Sequence, residues 1–170
     1  MQTQLKFSST PPLVFSNYNI NKKDNFMPVK PIPEKYHSVT PYILVPDVSK
    51  LIEFIEKAFG GIVIEKITAP EGLIMHAEIK VGNSIIMMGH ASGKSKITKS
   101  IFYIYTEDTD TVYMRAIASG ASSLMEPADQ YYGDRNAAVY DMFGNQWWIA
   151  AHFEDVSNEE LIKRAAQVRK

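Results

Sequence analysis

The sequence contains no cysteine. Disulfides, thiolate nucleophiles and thiolate-held metals are therefore excluded, and any metal would have to use His, carboxylate, Tyr or amide oxygen. No uninterrupted apolar stretch approaches the roughly 20 residues needed to cross a bilayer. Neither charge is in excess, since 18 Lys and Arg against 19 Asp and Glu leave a formal charge of −1. Such a chain offers no electrostatic reason to bind nucleic acid or an anionic membrane, so neither partner is expected, and a cytoplasmic location is. Residues 1–33 lack apolar periodicity and are rich in Ser, Asn, Lys, Thr and Pro. Their one apolar cluster, Leu13-Val14-Phe15, is too short for a signal-peptide core, and the absence of Arg argues against a transit peptide. A disordered tail is expected there, or an upstream start with Met27 as the working one. The whole length, 170 residues, suits one well-buried domain rather than two.

From Tyr36 onward the pattern is regular. Val39–Val45 is a β-branched and aromatic run ended by Pro46 and Asp47. A helix follows, capped by Ser49, with Leu51, Phe54, Ile55, Ala58 and Phe59 on one face and Gly60-Gly61 as its stop. Strands are expected at Ile62–Thr68, Ile74–Val81 and Ser84–Gly89, the last two joined by a Gly82-Asn83 hairpin turn. The order then repeats: a strand at Ile101–Thr106, a helix from about Asp110 to Ser119 stopped by Gly120, and strands near Ser122–Glu126, Asn136–Tyr140 and Gln146–His152. A constant offset of 61 residues relates Tyr42 to Tyr103 and Asp47 to Asp108, so the chain reads as two copies of one βαβββ unit, residues 37–90 and 100–153. A last helix, 157–168, opens with Ser157 and Glu160 at capping-box spacing.

Three stretches carry a family resemblance. They are Pro31-Ile32-Pro33-Glu34 through His37-Ser38-Val39-Thr40-Pro41-Tyr42, then His76-Ala77-Glu78-Ile79, then Tyr132-Gly133-Asp134-Arg135 running on through Asp141-Met142-Phe143-Gly144, Trp147-Trp148-Ile149-Ala150 and His152-Phe153-Glu154-Asp155-Val156-Ser157. In these the chain resembles the PhnB-like branch of the glyoxalase/bleomycin-resistance/dioxygenase (vicinal oxygen chelate) superfamily, although the loop from His90 to Ser100 is short for that branch. The resemblance implies an α+β fold in residues 34–170: tandem βαβββ modules forming an open barrel-like cleft. It leaves function open among metal-dependent isomerases, dioxygenases, thiol transferases and drug-sequestering proteins. It also places the family's metal-ligand positions on Thr40, Met87, Ile101 and Trp148. Two of these offer no lone pair, one is a soft thioether and one a lone hydroxyl, so no metal and no cofactor are expected.

Strand register supplies the remaining candidates. With Gly82-Asn83 as the turn, Glu78 pairs with Met87 and His76 with Gly89, and partners share a face. In the second unit, reading Asp141–Gly144 as the turn pairs Tyr140 with Asn145, which turns Ala137 and Arg135 toward the cleft opposite Trp148 and Ala150. Thr40, Tyr42, Met87, Tyr103, Tyr105, Arg135 and Trp148 are then candidate ligand-binding residues, and His76 and Glu78 a candidate acid–base pair. Each has a plainer reading. His76 and Glu78 can be a satisfied polar pair, with Glu78 ion-paired to Arg135, and the aromatics can simply fill a barrel. His37, His90 and His152 have no partner at ligand spacing, and Lys94–Lys99 reads as a solvated loop. The leading expectation is a protein that binds a small, planar, anionic molecule in an aromatic cleft. The alternative is a lyase, isomerase or transferase using His76 and Glu78. A homodimer is expected from the surface left by Trp147 and the apolar stripe of the last helix.

Overall fold

The structure is a computed structural model and describes residues 29–93, 96–97 and 99–168. The expectations for the first 28 residues and for part of the Lys94–Lys99 loop lie outside those residues. The chain divides into two units, Met1–Pro31 and Ile32–Lys170, and the helices and strands of the described residues lie in the second.

Among the described residues, two four-stranded sheets and three helices form an α+β fold of tandem βαβββ modules. The first module runs β1 Tyr42–Val45, α1 Val48–Phe59, β2 Ile62–Thr68, β3 Ile74–Val81 and β4 Ser84–His90. The second runs β5 Ile101–Tyr105, α2 Thr109–Ala118, β6 Ser122–Asp129, β7 Asp134–Tyr140 and β8 Gln146–His152, and α3 Asn158–Val168 comes last. Strand orders are β1-β4-β3-β2 and β5-β8-β7-β6, so both sheets are open and have the same topology. β1 begins three residues later than expected, because Pro41 has no N–H for a ladder and Val39 lies exposed. β6 continues past Glu126 through Pro127, which an edge strand with irregular register accommodates.

The repeat extends to the caps. Asp47 accepts from Lys50 N at 3.1 Å and Asp108 from Thr111 N at 3.0 Å. Asp47, rather than Ser49, therefore caps α1, and Ser49 donates to the Asp47 carboxylate instead. Leu51, Phe54, Ile55 and Ala58 of α1 are buried on the first sheet, and Val112, Tyr113 and Ala116 of α2 on the second. One continuous core joins them. Trp147 sits at its centre, fully buried, stacked on Phe102 at 4.5 Å between ring centroids and packed on Phe59 at 5.0 Å. The expectation that Trp147 leaves surface to cover is thus wrong: it points to the helix side of β8, and its indole N–H donates to Asp141. Each module turns its helix toward the other and leaves its opposite sheet face outside the core.

The first hairpin has the register the Gly82-Asn83 turn requires, with Val81 opposite Ser84, Glu78 opposite Met87 and His76 opposite Gly89. The second differs by one residue. Tyr140 pairs with Gln146, Ala138 with Trp148, Asn136 with Ala150 and Arg135 with Ala151. The cause is local. Asp141 N donates to Asn145 O and Gly144 N to Asp141 O, both at 3.0 Å, with Gly144 at φ +82°. The loop is therefore the three-residue Met142-Phe143-Gly144, a turn closed by a left-handed glycine. A one-residue slip moves every side chain of β7 to the other face.

Candidate functional site

On the first sheet Tyr42, Met87 and Glu78 lie side by side on the face away from α1, with His76 and Gly89 in the next row. Gly89 leaves that row open, and the Tyr42 ring lies across it; a Cβ at Gly89 would come 2.5 Å from the Tyr42 hydroxyl. That hydroxyl is 3.3 Å from His76 Nδ1, and His76 Nε2 is 3.6 Å from Glu78 Oε1. Glu78 is only 3% exposed. The Tyr36 hydroxyl donates to it at 2.5 Å and Lys35 Nζ at 3.0 Å, while Lys35 also reaches Glu65 at 3.3 Å. Burial pushes the Glu78 carboxyl up, but the donors Tyr36 and Lys35 outweigh it and hold the group below the ordinary carboxylate range. Glu78 is therefore a buried, ionised and neutralised carboxylate.

The second sheet repeats the arrangement with different chemistry. Tyr103 lies beside Trp148, and Tyr105, Ala150 and Asn136 form the next row, beyond which His152 faces Asp134. The Tyr103 hydroxyl donates to Asp134 at 3.3 Å and accepts from Asn136 Nδ2 at 2.7 Å. Asn136 Nδ2 also donates to the Tyr132 hydroxyl at 2.7 Å. Tyr103 has one proton and gives it to Asp134, so the amide must present nitrogen to it. Asn136 Oδ1 is then buried without a partner among the described residues. Burial, the largest effect, pushes the Tyr103 hydroxyl up to about 12. Asp134 is buried and takes His152 Nδ1 at 2.6 Å, and His152 Nε2 meets Asp155 at 3.0 Å. The Asp134 contact, then Asp155, raises the His152 imidazole above its ordinary value. Tyr42 and Tyr103 thus occupy matching positions, and each reaches a polar side chain on the third strand of its module, His76 in one and Asn136 in the other.

The expected residues divide between these two faces. Tyr42, Met87, His76 and Glu78 come together on the first, and Tyr103, Tyr105 and Trp148 on the second, where the Tyr105 ring is 5.3 Å from that of Tyr103. Thr40 precedes β1 and donates to His37 O at 3.4 Å. Arg135 does not face the cleft. The corrected register puts it on the helix side of β7, where it binds Asp110 at the start of α2 through Nε at 2.5 Å and Nη2 at 2.9 Å, and Asp129 at 2.8 Å. The expected Glu78–Arg135 pair does not form for the same reason, and Lys35 takes that role. His152, expected as a loop or strand-end residue without a partner at ligand spacing, ends β8 and contacts two carboxylates. Lys35, Tyr36, Tyr132, Asp134 and Asn136 were not among the expected residues. The signal for the last two was the one-residue ambiguity of the Asp141–Gly144 turn, and for Lys35 it was the counter-charge that a buried glutamate demands.

The four positions that the resemblance assigns to metal ligands do not fit a metal. Met87 offers a thioether, Ile101 and Trp148 no lone pair, and the Thr40 hydroxyl is engaged with a carbonyl.

A family model described as the Glyoxalase/Bleomycin resistance protein/Dioxygenase superfamily matches residues 35–149. An uncharacterized protein of Mycobacterium tuberculosis (strain ATCC 25618 / H37Rv) is 26% identical over 135 residues, covering 73% of this chain and 79% of that protein. Among solved structures, TioX from Micromonospora sp. ML1 matches with a TM-score of 0.60 at 23% identity, over 68% of this chain and 98% of that one. The putative 3-demethylubiquinone-9 3-methyltransferase, PhnB protein, of Bacillus cereus matches with a TM-score of 0.57 at 15% identity, over 68% of this chain and 99% of the other. At these identities the structural likenesses establish the fold.

Proposed function

The chain belongs to the glyoxalase/bleomycin resistance protein/dioxygenase superfamily, and from that premise we propose that it is a PhnB-like binding protein that holds a small planar molecule on its aromatic sheet faces without a metal. The observation that carries this reading is the repeated pair, Tyr42 with His76 and Tyr103 with Asn136, on matching faces outside the core. Tyr42, Tyr103 and Tyr105 are exposed, and Trp148 and Met87 are half-buried beside them. These provide ring surface for stacking and hydroxyls for hydrogen bonds. An anionic ligand loses its expected anchor, because Arg135 is neutralised on the other side of β7. A neutral or hydrogen-bonding ligand suits these faces better.

A homodimer completes the reading. The modules of one chain turn their site faces away from each other, so each face is half of a site. A second copy laid face to face supplies the other half and covers the exposed Ile62, Ile67, Ile101 and Tyr105. Light scattering at micromolar concentration should give twice the chain mass, and a monomer would count against the closed site. The ligand should be sought by mass spectrometry of protein purified without denaturation, then titrated calorimetrically. Tyr42→Phe and Tyr103→Phe should each weaken binding about fivefold, the worth of one hydrogen bond near 1 kcal/mol. Unchanged affinity in both variants would defeat the proposal.

A second reading is favoured by one contact set. His76 lies between the Tyr42 hydroxyl and the ionised Glu78, an arrangement that orients an imidazole as general base. If the ligand is a substrate, His76→Gln should abolish its turnover while leaving its affinity within a few-fold, and equal turnover would exclude the base.

A further inference from the structure

A groove of about 550 Å³ lies between the modules, bordered on one side by the edge of the strand that carries Tyr103 and Tyr105. Phe59, Ile86, Phe102, Ile104 and Val112 give it apolar walls, and Arg115 of α2 lines it as well. Two features distinguish this groove from an ordinary crevice. The first is that, among the described residues, its arginine lacks the ion pairs that hold the others. Arg135 is held by Asp110 and Asp129, and Arg164 by Glu154 and Glu160. Arg115 makes no ion pair among the described residues, although its backbone carbonyl accepts from Ser119. The second is the strand along one wall. Five consecutive residues, Phe102 to Thr106, line the groove. A sheet face would contribute alternate residues, so it is the edge of β5 that borders the cavity. β5 pairs only with β8, and the bonds Gln146 N to Ser100 O and Thr106 N to Ala150 O turn the even-numbered residues toward β8. The amides of Tyr103 and Tyr105 therefore point to the unpaired edge and offer N–H donors there.

From a guanidinium without an ion pair and N–H groups on an unpaired strand edge, both among the described residues, and from the apolar walls, we infer that this groove binds a small amphipathic molecule carrying one anionic group, a carboxylate or sulfonate on an apolar body. Its volume falls within the range of small-molecule sites, and an arginine facing a carboxylate forms charge-assisted, bidentate hydrogen bonds. The inference does not rest on the proposed site, although Tyr103 and Tyr105 border both: their backbone edge faces the groove and their rings the sheet face. Octanoate is a suitable probe and octanol its neutral counterpart, with binding followed by NMR chemical shifts on the full chain. Octanoate should perturb Phe59, Ile104 and Val112 and bind at least fivefold more tightly than octanol. Arg115→Gln, on an exposed helix position, should remove that difference, whereas Tyr42→Phe should not change it. Shifts confined to Tyr42, Met87 or Trp148, equal affinity for octanol, or no effect of Arg115→Gln would each overturn the assignment.

Discussion

Removing the Asp141 carboxylate tests the device that sets the register of β7, and with it the identity of the side chains on the second site face. Asp141 is 5% exposed and accepts four hydrogen bonds. They come from Phe143 N at 2.8 Å, Asn145 N at 3.0 Å, Asn145 Nδ2 at 2.8 Å and Trp147 Nε1 at 3.0 Å. Phe143 is half-buried and can turn to water. The other three donors belong to Asn145 and Trp147, which are 1% and 0% exposed. A buried donor left without an acceptor costs about 1–3 kcal/mol. Three would sum to roughly 3–9 kcal/mol, and entry of water into the vacated space favours the lower part of that range. Asp141→Ala should therefore lose about 3–5 kcal/mol, a large share of a typical domain's 5–15 kcal/mol. Asp141→Asn is the sharper variant. Its oxygen can keep the two backbone donors, but its amide then meets Asn145 Nδ2 and Trp147 Nε1 donor to donor, so a loss of about 2–4 kcal/mol is expected. Urea unfolding followed by tryptophan fluorescence measures both, with the slope checked against wild type. A loss below about 1 kcal/mol in both variants would refute the claim that this carboxylate organises the turn.

Three further outcomes rest on the site geometry. Gly89→Ala brings a Cβ to 2.5 Å from the Tyr42 hydroxyl; the ring end can swing away, so stability should fall by less than about 1 kcal/mol, while the Tyr42–His76 contact is lost and ligand affinity drops as in Tyr42→Phe. The raised His152 imidazole binds its proton more tightly in the folded state, so its stabilisation is complete below the unfolded value near 6.5 and is lost as pH rises through the higher folded value. Unfolding measured across neutral pH should show that decline in wild type and a flatter profile in His152→Gln; parallel profiles would exclude the coupling. Glu78 behaves oppositely, because its lowered carboxyl contributes stability above the unfolded value near 4.5 and loses it as pH falls through the folded one. Tyr36→Phe should raise that midpoint in a carboxyl NMR titration, and an unmoved midpoint would mean that Tyr36 is not the donor that holds it.

The order of elements was legible in the sequence because its causes are local. Alternation marks β3, helical spacing marks α1, and Gly82-Asn83 admits only one tight register for the first hairpin. Asp47 and Asp108 match across the two copies in sequence, but that they and not Ser49 cap the helices was seen only in the structure. The second hairpin was legible only to within one residue, since Asp141 to Asn145 supports two loop lengths, and the choice rests on Asp141 reaching the indole of Trp147 in the core. That single step exchanged Arg135 for Asp134 and Asn136 on the site face. The counter-charge of Glu78 was likewise hidden, because Lys35 comes from a segment 43 residues away with no periodicity of its own. Packing also turned Trp147 inward and set the two site faces on opposite sides of the shared helices. Turn chemistry and side-chain periodicity act over a few neighbouring residues and can be read along the chain. The partner of a buried charge, and the side on which a sheet is covered, are settled only when segments distant in sequence exclude water between them.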